Sequence, residues 1–192
     1  RESQFYVNDH CSQILMVGQT CPNPTPTLFK NLSFGIYATN ANNLSYEVQN
    51  SEFENCGYGI YTIGTKNERI TKNNFAVREL ENIQTAGVLL SNSTAYAVEE
   101  NSFYEFDNLG VTNGDGNSYG VVIHNSGVAS NFVYKNYFAN LKIGGQSQLI
   151  NGVDDETVAN TSRVGLQWRC NSFKSAIYEA DLGVNGIIDF QQ

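Results

Sequence analysis

Several residue types are scarce in this sequence. Its 192 residues include one Met, one Trp, three Pro and two His, and only 16% of them are charged. The two histidines, His10 and His124, provide little of what metal binding and acid–base catalysis usually need. Gly-x-Ser-x-Gly, His-Glu-x-x-His and phosphate-loop motifs are absent, so the common signatures of serine hydrolases, zinc proteases and nucleotide-binding proteins are missing. No apolar run reaches the roughly 18 residues of a membrane-spanning helix.

Acidic residues outnumber basic ones by 19 to 11, which gives a formal net charge of −8. This charge disfavours nucleic acid and anionic membrane surfaces as partners, because both repel an acidic protein. Asn and Gly are abundant instead, with 25 and 17 residues, and both suit tight corners. The length and the 12% of aromatic residues predict one folded domain rather than a disordered chain.

A short motif recurs five times along the chain. It has a β-branched or aromatic residue, then Asn or Ser three positions later, then Phe two positions after that. The copies are Val48/Ser51/Phe53, Ile70/Asn73/Phe75, Val98/Asn101/Phe103, Val133/Asn136/Phe138 and Trp168/Asn171/Phe173. Fixed spacing within a motif and variable gaps between copies indicate a solenoid, in which each copy belongs to one coil.

A second motif alternates with the first. Gly followed by a branched aliphatic residue begins strands of alternating pattern at Gly35, Gly59, Gly87 and Gly120. The sequence therefore predicts two recognisable strands per coil. The predicted fold is all-β: a right-handed, single-stranded parallel β-helix of about five to seven coils, with loop insertions on one side.

In such a fold, equivalent side chains of successive coils stack on one another. We expect an internal aromatic ladder of Phe53, Phe75, Phe103, Phe138 and Phe173. We expect a polar ladder at a corner from Ser51 and from Asn73, Asn101, Asn136 and Asn171. The Asn side chains would tolerate the left-handed corner conformation and bond the backbone or the next Asn.

The domain organisation follows from where the motifs lie. Residues 1–30 lack them and predict an irregular first coil or a cap, with Cys11 and Cys21 positioned to form a disulfide. Residues 31–192 hold the repeats, and residues 181–192 look like a further strand. The chain starts without Met and shows no capping element, so it reads as a segment of a longer protein. Cys56 and Cys170 lie four coils apart, too far to form a disulfide.

Candidate binding residues come from the places where the repeat lengthens. Residues 76–86, 104–119 and 139–164 are expected to project together as one loop face, a usual location for binding. Its polar candidates are Asp107, Asn113, Asp115, Asn117, Asp154, Asp155 and Glu156. Simple drift in loop length is an equal alternative. Calcium is a weak possibility at Asn113–Ser118, whose oxygens lack the spacing of a calcium loop.

Tyrosines at outward strand positions are a second candidate surface. Tyr37, Tyr61 and Tyr134 would present aromatic faces on which sugar rings can stack, although Tyr also simply suits a strand. No catalytic residue and no cofactor are predicted.

Four phrases of the chain resemble right-handed parallel β-helix segments of large secreted or surface proteins of Bacteroidota bacteria. They are GIYTIG, AGVLLSNSTAYAVEENSF, GVVIHNSGVASNFVYKNYFANLKIG and GLQWRCNSF. The resemblance covers roughly residues 30–192 and implies export by the type IX secretion machinery and an extracellular or surface location. The same fold houses pectate lyases and polygalacturonases, but only Asp154-Asp155 matches one element of the polygalacturonase signature.

The sequence thus favours a structural or adhesive β-helix module that presents a surface to a glycan, a cell surface or a protein partner. A polysaccharide lyase or glycoside hydrolase is the first alternative. A filament or assembly subunit is the second.

Overall fold

The computed structural model describes residues 3–11, 20–39, 44–80, 82–106, 117–152, 165–174 and 178–182. These residues form 18 β-strands, and the described ranges contain no helix. Accordingly, this part of the chain has no helix that is long and apolar enough to cross a membrane. Three strands occur in each coil, and six coils follow one another.

The strands form three sheets, each with one strand per coil. Sheet 1 contains β1 (Ser3–Val7), β4 (Leu44–Gln49), β7 (Arg69–Thr71), β10 (Ala97–Glu99), β13 (Asn131–Tyr134) and β16 (Leu166–Arg169). Sheet 2 contains β2 (Thr27–Lys30), β5 (Ser51–Cys56), β8 (Asn74–Arg78), β11 (Ser102–Phe106), β14 (Tyr137–Ala139) and β17 (Ser172–Lys174). Sheet 3 contains β3 (Phe34–Thr39), β6 (Tyr58–Ile63), β9 (Thr85–Ser91), β12 (Ser118–His124), β15 (Ile143–Gln148) and β18 (Tyr178–Leu182).

Every strand pairs in parallel with the equivalent strand of the next coil. β4 pairs with β1 and β7, and β9 pairs with β6 and β12. The order β1-β4-β7-β10-β13-β16 in sheet 1 recurs with the same step of three in the other sheets. This topology is a right-handed parallel β-helix, the hand that connections between parallel strands adopt. The predicted fold class is confirmed.

The number of strands per coil differs from the prediction of two. The Val-x-x-Asn-x-Phe motif is not one strand but two, joined at a corner. Val98 lies in β10 of sheet 1, Asn101 lies at the corner, and Phe103 lies in β11 of sheet 2. The sequence hides this bend, because the corner occupies only two residues, Glu100 and Asn101.

At the corner between sheets 1 and 2, the residue in the left-handed conformation is not the ladder residue that the sequence predicted. The positive φ belongs to the residue before each ladder position: Asn50, Lys72, Glu100, Lys135 and Cys170, with φ between 49° and 56°. The ladder Asn itself uses its side chain for hydrogen bonding. The side-chain oxygen of Asn101 accepts the backbone N–H of Asn73 at 2.9 Å, and its amide nitrogen donates to the Ile70 carbonyl at 2.8 Å.

The same bonds repeat along the whole corner. Asn136 accepts from the N–H of Asn101 at 3.0 Å, and Asn171 accepts from the N–H of Asn136 at 2.9 Å. In the other direction, Asn73 accepts from the N–H of Ser51 at 3.0 Å. The Asn column therefore satisfies buried backbone groups that the bend removes from the sheets.

A column of phenylalanines fills the interior beside sheet 2. The ring centroids of Phe53, Phe75, Phe103, Phe138 and Phe173 lie 4.7–5.0 Å apart, with planes within 10° of parallel. Phe29 of β2 adds a sixth ring at 4.7 Å from Phe53.

The phenylalanine column explains the glycines of the second motif. A Cβ added to Gly87 would lie 2.5 Å from the Phe103 ring, and one added to Gly59 would lie 2.6 Å from the Phe75 ring. Such distances leave no room for a side chain. Each of these glycines in sheet 3 leaves free the space that a phenylalanine ring of sheet 2 occupies, so the two positions must match in size for the interior to pack.

The three lengthened segments do not occupy equivalent places in the coil. In chain order, residues 79–84 and 107–117 connect a strand of sheet 2 to a strand of sheet 3. The expected third insertion, 139–164, contains β15, whose sequence IGGQSQ lacks the aliphatic pattern. The long segment of that coil is 149–165, which connects sheet 3 to sheet 1. The prediction of a single loop face is therefore wrong for this insertion.

The N-terminal segment is a first coil rather than a separate cap. β1 pairs with β4, β2 pairs with β5, and β3 pairs with β6. The predicted disulfide between Cys11 and Cys21 is confirmed, with 5.7 Å between the Cα atoms. Cys56 and Cys170 are not disulfide-bonded. Within the segment expected to form a further strand, β18 ends at Leu182, and residues 183–192 lie outside the described residues.

Candidate functional site

Four aromatic residues cluster on the outer face of sheet 3 in the first two coils. Phe34 and Tyr37 lie on β3, and Tyr58 and Tyr61 lie on β6. The parallel register places Phe34 beside Tyr58 and Tyr37 beside Tyr61. Gly59 and Ile60 are both buried, so the strand's alternation is interrupted there, and Tyr58 and Tyr61 on either side both remain partly exposed. In β3, Phe34 and Tyr37 are likewise exposed on either side of Gly35 and Ile36. We call these four residues the aromatic patch.

The rings of the aromatic patch touch one another. Phe34 stacks on Tyr58 with centroids 5.4 Å apart and planes 9° from parallel. Tyr37 meets Tyr61 edge-on at 5.4 Å, and Tyr58 lies 5.3 Å from Tyr61. Phe34 also contacts Tyr37 at 5.2 Å. Mutual contact fixes the rings in place, so little side-chain entropy is left to lose on binding.

The aromatic patch is open to solvent although its rings are large. Tyr37 is 55% exposed and Phe34 is 42% exposed. The same two columns continue as Ala86 and Tyr119, and as Leu89 and Val122. Ala86 and Val122 are buried, whereas Leu89 and Tyr119 are partly exposed. An exposed cluster of large aromatic rings indicates an interaction surface.

The chemistry of the patch is that of an apolar platform with hydroxyl groups. Partial burial raises the pKa of Tyr58, and the neighbouring Tyr61 raises it further. The Tyr58 hydroxyl therefore stays protonated at neutral pH and can both donate and accept hydrogen bonds. Rings with polar edges match sugar rings, whose C–H faces are apolar and whose rims carry hydroxyls.

Six of the seven residues of the sequence-predicted loop site lie outside the described residues: Asp107, Asn113, Asp115, Asp154, Asp155 and Glu156. Asn117 is described and directly precedes β12, the sheet 3 strand of coil 4. Its side-chain oxygen accepts a hydrogen bond from Lys142 Nζ at 2.8 Å, and its carbonyl accepts the N–H of Thr85 at 2.9 Å. These bonds connect Asn117 to the coils on either side of it.

The outward tyrosines of the prediction do not share one surface. Tyr37 and Tyr61 belong to the aromatic patch, whereas Tyr134 lies on β13 of sheet 1 with Lys135 Nζ 5.1 Å from its ring centre. Phe34 and Tyr58 were missed by the sequence reasoning. The available signal was their position directly before Gly35 and Gly59, which places both in one column.

A groove of about 430 Å³ lies at the corner between sheets 1 and 2, beside the N-terminal segment. Pro24 and Pro26 form one wall, and Asp9, Glu52 and Lys72 bring both signs of charge to it. Its volume is within the range of small-molecule sites. Charges of both signs beside proline rings do not indicate one class of ligand. The groove is therefore a weaker candidate binding site than the aromatic patch.

Comparison with known proteins gives one family. The model of the family described as "Periplasmic copper-binding protein (NosD)" matches residues 4–161. No curated protein and no solved structure matches the chain.

The described residues do not fit the copper that the family description mentions. Copper prefers thiolate, thioether and imidazole ligands. Cys11 and Cys21 form a disulfide, so neither sulfur is present as a thiolate ligand. His10 lies in coil 1, while His124 lies in coil 4 with its Nδ1 3.2 Å from Ser91 Oγ. In the described ranges, no three residues among His, Cys, Asp and Glu come together as a metal-holding group.

Proposed function

The chain belongs to the NosD family, and on that premise we propose that it is a non-catalytic β-helix module of an exported protein that binds neutral glycan chains through the aromatic patch. The family description places its members in the periplasm. A surface or extracellular position, and secretion by the type IX route of Bacteroidota, are finer proposals that rest on the sequence resemblance.

The observation that carries this proposal is the aromatic patch itself. Four rings in mutual contact, two of them about half exposed, form a platform about two coils high. Successive strands lie about 4.8 Å apart, which is close to the size of one sugar ring. A platform of two coils therefore suits a short stretch of a polysaccharide rather than a single sugar.

The charge of the protein points to neutral rather than acidic glycans. The chain carries a formal net charge of −8, so uronic-acid or sulfated polymers would be repelled. Stacking on neutral sugars is individually weak. Repeated contacts along one polymer chain would supply avidity, as adhesion requires.

A binding role is favoured over turnover by the composition of the aromatic patch. Glycoside hydrolysis needs two carboxyl groups about 5–10 Å apart across the scissile bond. The patch contributes three tyrosines and one phenylalanine and no carboxylate. Copper binding is not proposed, because the donor residues described above do not converge.

Affinity electrophoresis through gels containing neutral or acidic polysaccharides tests the proposal. We expect retardation in at least one neutral glucan, mannan or xylan, and none in polygalacturonate. Tyr37→Ala and Phe34→Ala should each weaken retardation by roughly tenfold in apparent Kd, because a lost stacking ring costs about 1–1.5 kcal/mol.

Matched controls use aromatic residues of similar exposure on other sheets. Tyr6→Ala on sheet 1 and Tyr104→Ala on sheet 2 should leave retardation unchanged. Equal losses in all four variants would contradict a specific patch. Release of reducing ends or unsaturated uronides by the unaltered protein would support the lyase or hydrolase alternative instead.

A further inference from the structure

One carboxylate lies inside the β-helix without a partner. Glu68 directly precedes β7, and its side chain is completely buried. Neither of its carboxyl oxygens makes a hydrogen bond of ordinary geometry, although the Ser93 hydroxyl lies nearby. The next residue, Arg69, is exposed. The positively charged side chain therefore faces solvent, and the carboxyl group of Glu68 faces the interior. A buried carboxylate without a partner is costly, so the exception calls for an explanation.

Two more unpartnered groups face the same space. Tyr46 and Tyr96 occupy the positions equivalent to Glu68 in the coils on either side, as the register of Glu47, Arg69 and Ala97 shows. Both tyrosines are buried, and neither hydroxyl makes a hydrogen bond of ordinary geometry, although Thr62 lies near Tyr46 and Ser126 near Tyr96. Three successive coils thus direct an unsatisfied oxygen group into one part of the interior.

Further hydroxyls surround these groups at the corner between sheets 3 and 1. Ser93 Oγ lies 2.9 Å from Thr65 Oγ1 and 3.4 Å from Thr62 Oγ1, and all three residues are buried. Ser93 lies beside Glu68, and Ser126 lies beside Tyr96. The Glu68 cluster is therefore built from one carboxyl group and several hydroxyls, contributed by Tyr46, Thr62, Thr65, Glu68, Ser93, Tyr96 and Ser126.

The part of the chain that the structure describes supplies no buried counter-ion to this carboxylate. Among the described residues, no Lys or Arg side chain is buried. The titratable groups that face Glu68 are Tyr46 from β4 and Tyr96 from the residue before β10, and both are neutral at physiological pH. Burial of a lone negative charge in such surroundings is unfavourable unless a cation or a proton neutralises it.

We infer that the Glu68 cluster is an internal binding site for a small monovalent cation of the sodium type. Oxygen ligands without nitrogen or sulfur suit a hard cation. A single carboxylate balances one positive charge, whereas a divalent cation would leave a net charge buried in the core. Tyr46, Tyr96 and the Ser and Thr hydroxyls would complete the coordination with neutral oxygens.

A proton competes with the cation for Glu68. Burial raises the pKa of the Glu68 carboxyl from its ordinary 4.5 to about 8, although the neighbouring Ser93 hydroxyl opposes the shift. Sodium binds the ionised form, so it should stabilise the protein strongly above this pH and weakly below it. The site therefore has a pH dependence that a purely structural polar cluster would not show.

Thermal unfolding of the full chain tests the inference. At about pH 9, replacing choline chloride by sodium chloride at equal ionic strength should raise Tm by several degrees, growing with the logarithm of sodium concentration. At about pH 6 the rise should shrink to a small fraction of that value. Glu68→Gln, which keeps the shape and removes the charge, should abolish the sodium response at both pH values.

Two further variants separate a bound cation from general salt effects. Glu100→Gln removes a carboxylate from an exposed corner residue and should respond to sodium like the unaltered protein. Tyr96→Phe removes one hydroxyl and should reduce the sodium response while the carboxylate remains. Equal sodium responses in the unaltered protein and in Glu68→Gln would overturn the inference. The cluster would then hold only water and a protonated carboxyl group.

Discussion

Two columns of side chains run through the interior of this β-helix, and they differ in composition. The column beside sheet 2 repeats phenylalanine in six successive coils, and neighbouring rings stack at 4.7–5.0 Å. The column at the start of sheet 1 changes at every coil. Its members are Phe5, Tyr46, Glu68, Tyr96, Asn131 and Leu166.

The two columns have different roles: the phenylalanine column builds the scaffold, and the variable column contains the candidate cation site. Identical rings stacked in register gain apolar burial in every coil and leave no polar group unsatisfied. The variable column leaves two tyrosine hydroxyls and a carboxyl group without partners. Each such group costs about 1–3 kcal/mol, which a structure bears where the groups have a further use. Irregularity within a repeat is therefore the better guide to function.

The largest effect is expected in the phenylalanine column. Phe103 has a ring on each side and is fully buried, so Phe103→Ala should destabilise the fold by about 3–5 kcal/mol through lost burial and a cavity. Chemical denaturation would measure the loss. Tyr61→Ala on the outer face should cost less than half as much, and equal losses would mean that the assignment of inner and outer faces is wrong.

The second effect is expected at Glu68 and depends on pH. The folded-state pKa of about 8 lies above the ordinary 4.5, so the unfolded chain releases this proton first as pH rises. In sodium-free buffer, the contribution of Glu68 to stability is complete below about pH 4.5, falls between about 4.5 and 8, and then levels off. By about pH 7 the fall should be on the order of 3–4 kcal/mol, at about 1.4 kcal/mol for each pH unit above 4.5.

Glu68→Gln should flatten this part of the stability curve and raise stability at neutral pH. Urea unfolding across the pH range, in choline buffer, would show the change. Glu99→Gln, a change on β10 in the next coil, serves as the control and should keep the fall between pH 4.5 and 8. An unchanged slope in Glu68→Gln would show that another group titrates in this range.

The third effect concerns the asparagine column. Asn101→Ala removes the acceptor of the Asn73 N–H and the donor to the Ile70 carbonyl, and leaves both buried. The expected loss is about 2–3 kcal/mol in the free energy of unfolding. Asn74→Ala, at an exposed position one residue after the ladder, should change stability by less than about 0.5 kcal/mol.

The regular features of the molecule could be predicted from sequence because they repeat. Five copies of one motif placed Phe103 inside and Asn101 at a corner before any coordinates were known. The third sheet-forming strand per coil was hidden, because a two-residue corner leaves no break in the pattern. β15 was missed because its sequence, IGGQSQ, carries no aliphatic alternation.

The candidate sites depend on register, which spacing alone does not supply. Phe34 and Tyr58 become neighbours only when β3 and β6 are aligned. Glu68 reads as a solvated acidic residue between Asn67 and Arg69, two exposed polar residues. Its inward direction follows from the pairing of β7 with β4 and β10. Sequence periodicity predicted the scaffold, whereas the residues that depart from the repeat were identified only from the strand register in the structure.

The smallest effect is expected where the asparagine column is incomplete. Ser51 takes the ladder position in coil 2, and its hydroxyl donates to the Gln49 carbonyl at 2.9 Å. In the next coil, the Asn73 amide donates to the carbonyl of Val48, the residue paired with Val7. An asparagine at position 51 would have the Val7 carbonyl as the equivalent acceptor.

By the same pattern, the side-chain oxygen of an asparagine at position 51 would face the backbone N–H of Thr27, the residue paired with Ser51 in coil 1. Ser51→Asn should therefore stabilise the fold by about 0.5–1 kcal/mol, since two hydrogen bonds would replace one. Urea midpoints of Ser51→Asn and Ser51→Ala would measure the difference. Stabilisation by Asn together with destabilisation by Ala would extend the repeating column by one coil. Destabilisation by both would show that coil 1 departs from the repeat at this corner and that the regular scaffold begins with coil 2.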